Sequence, residues 1–246
     1  MIKYAPYSFS KVSVHKQCPR KFRYKYLDKI KIKHTPQLHL ERGLLLHLFM
    51  EHGIDYDKYK DDWQYQKCKL LTTEVKGECE DIYNNFISSE TGKWHKSLKT
   101  LFNELPIALD NKLQPAEFDH DYGRGEKDNL FQGFIDNVSV LEEKDLCVIT
   151  DWKSGKISEK IKWDQLLYYA IYMFSVIPQD NILLVLSYLE HKEKRFQLLK
   201  REDLNKYKKA LINEIKNVEN DNDFNKNVTG LCKYCDYEDI CDPQTP

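Results

Sequence analysis

Two aspartates, a lysine and a histidine carry the sharpest chemistry in this chain of 246 residues. Asp136 closes the segment GFID and Asp151 opens DWK, in two apolar runs joined by the turn-forming stretch EEKD. If that hairpin closes symmetrically about Glu143 and Lys144, the two aspartates are equidistant from its centre and face each other. Opposed side chains on antiparallel strands stand about 4.5–5.5 Å apart at Cβ, where two carboxylates repel unless a cation intervenes. A divalent metal is such a cation, and hard oxygen ligands suit Mg²⁺ or Mn²⁺. Strand periodicity puts Lys153 on the same face as Asp151. An ammonium group beside a metal-ligating carboxylate can help orient or deprotonate water and neutralise a scissile phosphate. The plain alternative is the solvated face of a hairpin. His47 has an imidazole suited to metal ligation, and Gly43, one helical turn earlier, permits close backbone approach. Gln165 and Tyr169 share one helical face soon after the lysine.

A second constellation is made of thiols. Cys232, Cys235 and Cys241 form a C-x2-C-x5-C run near the end of the chain, and Cys18 lies near its start. Soft thiolates gathered at one point suit Zn²⁺ or an iron–sulfur cluster, and spacing alone does not choose between them. Clamping residue 18 to the tail would remove a very large loop's freedom from the unfolded chain, an effect of about a few kcal/mol. Cys68, Cys79 and Cys147 lack ligand spacing and read as buried packing residues.

These groups need elements to hold them. A hydrophobic content of 41%, with 13% aromatic residues, is ample for a core despite 31% charged residues. The net charge of −1 gives no global basic field, so any nucleic-acid contact must be local. Lys11, Lys16, Arg20, Lys21, Arg23, Lys25, Lys29, Lys31 and Lys33, interleaved with Phe22, Tyr24 and Tyr26, offer one such basic aromatic stretch, or a solvated helix face. No apolar run of about 18 residues appears, which predicts a cytoplasmic protein with no membrane partner.

Helices are predicted after the caps Ser8 and Ser10, again from Pro19, over Leu40–Gly53, Thr73–Ser88 and Lys96–Leu109. From residue 115 the texture turns to short strands, PAEFDHDY, NLFQGFIDNVSV and DLCVITDWK, separated by GRGEKD and LEEK turns, which read as an antiparallel meander. A helix over Ile161–Phe174, strands NILLVLSYL and KRFQLLK, and a helix over Glu202–Lys216 follow. The expectation is an α/β fold: a small mixed, mainly antiparallel sheet flanked by helices, in a single domain over 1–246. Within it, 1–112 is helical, 113–218 is the catalytic core, and 219–246 is a cysteine region closing on Cys18.

The ordered series GLLLH, GFID, DWK and QLLYY, opened by YSFSKVSVHKQCPRKFRYKYL, resembles the PD-(D/E)xK nuclease superfamily. It is most similar to the branch holding the RecB nuclease domain, the CRISPR-associated Cas4 exonucleases and the AddB nuclease domain. The resemblance implies that His47, Asp136, Asp151 and the carbonyl of Trp152 bind Mg²⁺ or Mn²⁺, that Lys153 is catalytic, and that Gln165 and Tyr169 position DNA or the lysine. Asp151 stands where many relatives have glutamate. The one-plus-three cysteines resemble the [4Fe-4S] ligands of the same branch, ahead of zinc. The implied activity is that of a DNA exonuclease acting on single strands or DNA ends in recombination, repair or replication. The chain carries no P-loop, so a helicase motor would belong to a partner. A DNA-binding or adaptor module with a structural metal clasp, such as a CRISPR-adaptation accessory protein, is the competing reading. Glu51 and Glu117 receive no role.

Overall fold

Pro106 turns the stretch predicted as a helix over Lys96–Leu109 into a strand. Proline has no N–H to donate and disfavours helical backbone at the residue before it, here Leu105. In the computed structural model, which describes residues 3–32, 36–120 and 129–241, the preceding helix stops at Ser97 and Lys99–Leu109 runs extended as β1. β1 is an edge strand, where the missing donor is tolerated. It therefore lies inside the 1–112 stretch that was expected to be helical, and it replaces PAEFDHDY as the first strand. Pro115 makes only an isolated bridge to Leu109, next to a turn in which Asp110 Oδ1 accepts the N–H groups of Lys112 and Gln114. Residues 121–128, with the GRGEKD turn, lie outside the described residues.

The sheet is mixed and five-stranded, in the order β1-β2-β3-β4-β5. β2 (Phe131–Leu141) and β3 (Leu146–Lys153) pair antiparallel, with Asn137 opposite Thr150 and Leu141 opposite Leu146. They are joined by a tight turn over Glu142–Lys144, with Asp145 in the left-handed region. β4 (Asn181–Tyr188) lies parallel to β3, and β5 (Glu193–Lys200) runs antiparallel to β4. The parallel pair requires a crossover, and β3 is buried along almost its whole length as a central strand should be.

The helices follow local signals. Ser8 caps α1 (Phe9–Gln17) by accepting the Lys11 N–H, and Pro19 occupies the first position of α2 (Pro19–Phe22). α3 (Leu38–His52) and the short α4 (Tyr56–Tyr59) precede α5 (Thr73–Ser88), which Thr72 caps. α6 (Glu90–Ser97) follows so tightly that a Cβ on Gly92 would sit 2.1 Å from the Phe86 carbonyl oxygen. α7 (Asp164–Val176) is the crossover between β3 and β4 and packs on both, and α8 (Leu204–Asn220) ends the regular structure. None of the described helices is long and apolar enough to cross a membrane.

The chain divides into two compact units assembled from separated stretches. One comprises Pro36–Ile107 and Phe134–Asn205. Its core joins Leu45, Leu46 and Phe49 of α3 to Phe86, Trp152 and Leu189. The other comprises Met1–Thr35, Ala108–Gly133 and Lys206–Pro246. There the Tyr7 hydroxyl donates to Glu219 at 2.6 Å, and Phe22 stacks on Phe224.

Much of the basic N-terminal stretch is engaged within this second unit. Lys16 pairs with Glu214, Lys21 with Asp236 and Arg23 with Asp28, while Arg20 donates to the Phe224 carbonyl and Lys11 to those of Tyr4 and Pro6. The stretch is thus mainly an internal fastening, not the open basic strip read from sequence; Lys33 lies outside the described residues. Cys79 and Cys147 are buried as expected, whereas Cys68 is partly exposed.

Candidate metal centre

α3 anchors through Leu45, Leu46, Leu48 and Phe49, which leaves His47 half-buried on the flank that faces the sheet's β2–β3 hairpin. A Cβ on Gly43 would come within 3.0 Å of Ser154 Oγ, so the glycine allows α3 to approach the end of β3 closely. The β2–β3 register, extended by one pair past Asn137 and Thr150, sets Asp136 opposite Asp151. Asp136 Oδ2 accepts the Trp152 N–H at 2.8 Å and lies 3.6 Å from His47 Nδ1. His47 Nε2 is 3.0 Å from the Trp152 carbonyl oxygen. A carbonyl only accepts, so Nε2 carries a proton, and Nδ1 is the ring nitrogen turned toward the carboxylate. Asp151 is 4% exposed. Its Oδ2 touches the Lys153 ammonium yet satisfies no hydrogen-bond geometry. Gln165 Nε2 donates to the Tyr169 hydroxyl at 3.2 Å.

Sequence reasoning missed Glu104. Its carboxylate, His47 and Asp136 offer ligand atoms that all lie within 4.8 Å of one another. Glu104 sits on β1 with φ of 47°, a left-handed backbone unusual for a non-glycine residue and characteristic of a bulge that re-aims a side chain. Reading 96–109 as a helix hid it; Leu105–Pro106, which argues against that helix, was the available signal.

The electrostatics show too many carboxylates for the positive charge present. Burial and the neighbouring Asp151 raise the Asp136 carboxyl, with His47, the Trp152 N–H and Lys153 pulling it back only in part. Burial, then the charges of Asp136, Glu51 and Asp151, push Glu104 up to about 8. Burial also raises the Tyr169 phenol, which feels Asp151, Asp136 and Glu104 as well. A converging acid set that keeps protons, with a buried carboxylate oxygen left without a hydrogen bond, fits a divalent cation.

One consequence is measurable without substrate. Glu104 ionises at about 8 in the fold but near about 4.3 in an unfolded chain. Between those values the folded chain holds a proton that the unfolded chain has released, so metal-free stability falls as pH rises through the window. Glu104→Gln should therefore raise the melting temperature in chelator more at pH 8 than at pH 5, and should shrink the stabilisation that Mn²⁺ confers. An equal shift at both pH values would remove Glu104 from the site.

The other unit gathers the thiols. Cys18, Cys232, Cys235 and Cys241 line one cavity of about 130 Å³, together with Arg20 and Lys21. The N–H of Asn227 points to Cys18 Sγ and that of Thr229 to Cys232 Sγ, both at 3.4 Å. Burial, with Cys18 and Cys235 nearby, raises the Cys241 thiol. The four sulfurs do not form a group within 4.8 Å of one another.

A family model described as the PD-(D/E)XK nuclease superfamily matches residues 6–242. A solved structure described as "Crystal structure of SSO0001" is similar over 96% of this chain and 86% of its own, with 14% sequence identity and a TM-score of 0.42. No curated protein matches.

Proposed function

This chain belongs to the PD-(D/E)XK nuclease superfamily, whose members cut nucleic acid with divalent metals, and on that footing we propose a DNA exonuclease of the RecB, Cas4 and AddB-like branch. It would use Mg²⁺ or Mn²⁺ on single strands or DNA ends in recombination, repair or replication. The observation that carries the reading is the convergence of His47, Glu104 and Asp136, with Asp151 buried against Lys153.

His47, Asp136, Asp151 and the Trp152 carbonyl, joined by Glu104, would hold the cation. A divalent ion there supplies charge neutralisation at the scissile phosphate and acidifies water. The protein's own groups do the rest. The His47 Nε2–H bond to Trp152 fixes the ring tautomer, and the Trp152 N–H orients the Asp136 carboxylate. Asp151 anchors the Lys153 ammonium, which at 37% exposure can still reach a bound phosphate. The hydrogen bond from half-buried Gln165 to buried Tyr169 gives that side of the site a fixed polar wall.

The cysteine cavity supports a [4Fe-4S] cluster over zinc. Four soft thiols lining one cavity, one of them drawn from the far end of the chain, are the ligand set this cluster needs. Backbone N–H groups aimed at two of the sulfurs are the contacts that tune such a cluster. A helicase or recombination partner would supply any motor.

End-labelled single- and double-stranded DNA, incubated with Mg²⁺ or Mn²⁺, tests the activity: trimming from the ends with either ion, and none in chelator, is expected. Intact DNA under both ions would instead favour the adaptor reading.

A further inference from the structure

Trp63 stands at the apex of the segment between α3 and α5. It is 61% exposed and Tyr56 is 55% exposed, whereas Tyr59 and Tyr65 of the same segment are buried. The segment is tied down along its length. Asp62 Oδ1 accepts the N–H groups of Gln64 and Tyr65 at 2.8 Å each, and the Glu41 carboxylate accepts those of Lys69 and Leu70 at 3.0 and 2.7 Å. The Tyr59 and Tyr65 rings meet edge-on at 5.2 Å. The Trp63 ring is thus presented at the surface from a backbone held on both sides of it.

Two lysines rest against the segment's rings. Lys67 Nζ sits 4.3 Å from the Trp63 ring centroid and Lys76 Nζ 5.4 Å from that of Tyr65. Asp55 is paired with Lys58 and Asp57 with Lys60, and no ion pair involves Lys67, Lys69 or Lys76 among the described residues. Tyr56, Lys60, Asp61, Tyr65, Gln66 and Lys76 line a recess of about 480 Å³. The segment packs onto the elements that carry the metal centre, since Tyr59 and Tyr65 share one buried cluster with Leu45, Leu46 and Phe49 of α3 and with Trp152 of β3.

We infer that this segment is the docking platform for single-stranded DNA at the metal centre: a base stacks on Trp63, and Lys67, Lys69 and Lys76 face its phosphates. Every base offers a π-face, so stacking is sequence-tolerant, and a basic surface beside it tracks the backbone. A duplex keeps its bases stacked on one another and presents no free face. The inference rests on the nuclease reading for its substrate and is tested apart from it.

Binding of an oligothymidylate strand and of a blunt duplex is measured in chelator, so that nothing is cut. Trp63→Ala should weaken strand binding roughly 5- to 150-fold, the span of one lost stacked base, and leave duplex binding within about twofold of the wild type. Trp63→Phe should regain most of the loss. Adding the strand should quench indole fluorescence in the wild type and not in Trp63→Phe. Equal strand affinity in wild type and Trp63→Ala, at unchanged circular dichroism, overturns the platform, as does an undiminished quench in Trp63→Phe. If the wild type trims DNA while Trp63→Ala binds normally, the platform fails and the nuclease stands. If Trp63→Ala loses strand binding in a protein that cuts under neither ion, the reverse holds.

Discussion

Lys153→Ala should lose about a thousandfold in single-turnover DNA cleavage while keeping its affinity for Mn²⁺. The magnitude is that of removing one positioned proton-transfer or charge-stabilising group, about 10²- to 10⁴-fold. The separation of binding from rate follows from the contacts. Lys153 offers no ligand atom to a cation, and its ammonium only competes with a cation for Asp151. Removing it leaves His47, Glu104 and Asp136 in place. It also withdraws one of the charges that hold the Asp136 carboxyl down, so the metal-free variant should bind protons more avidly. Calorimetric Mn²⁺ titration and cleavage on the same preparation read the two properties. Activity above about a tenth of wild type would falsify the catalytic role of Lys153.

If the cysteine cavity holds the proposed [4Fe-4S] cluster, Cys18→Ser should purify without iron and unfold far more readily. A link between residue 18 and the tail closes a loop of more than two hundred residues, and the chain-entropy treatment of cross-links assigns such closure about 5 kcal/mol. Serine cannot substitute as a soft ligand. Cys68→Ser serves as the control, because that thiol contacts the Gln64 carbonyl and lies outside the cavity. The readouts are iron and zinc content, visible absorbance after anaerobic purification, and the unfolding midpoint. Iron retained in Cys18→Ser, or zinc in the wild type, sinks the cluster assignment.

The hairpin register was legible because it is local. Once EEKD is taken as a symmetric turn, period-two alternation leaves one partner for Asp136, and the pairing of Asn137 with Thr150 agrees with it. α5 was legible for a similar reason, its Thr72 cap preceding an uninterrupted helical run. The strand at Lys99–Leu109 was missed through reading apolar content without Pro106. The basic N-terminal stretch misled for the opposite reason: composition counts charges but not their partners, and Glu214 and Asp236 lie some two hundred residues away.

By itself the order of residues determined the family likeness, the mixed sheet and the register of the β2–β3 hairpin, since each depends on nearby periodicity, turn chemistry and short motifs. Tertiary structure alone decided that Glu104 joins His47 and Asp136, and that Lys16 and Lys21 of the N-terminal segment close on Glu214 and Asp236. Those outcomes rest on backbone bends such as the left-handed Glu104 and on contacts across long sequence separations, where the energy of a side chain is set by what the fold brings against it.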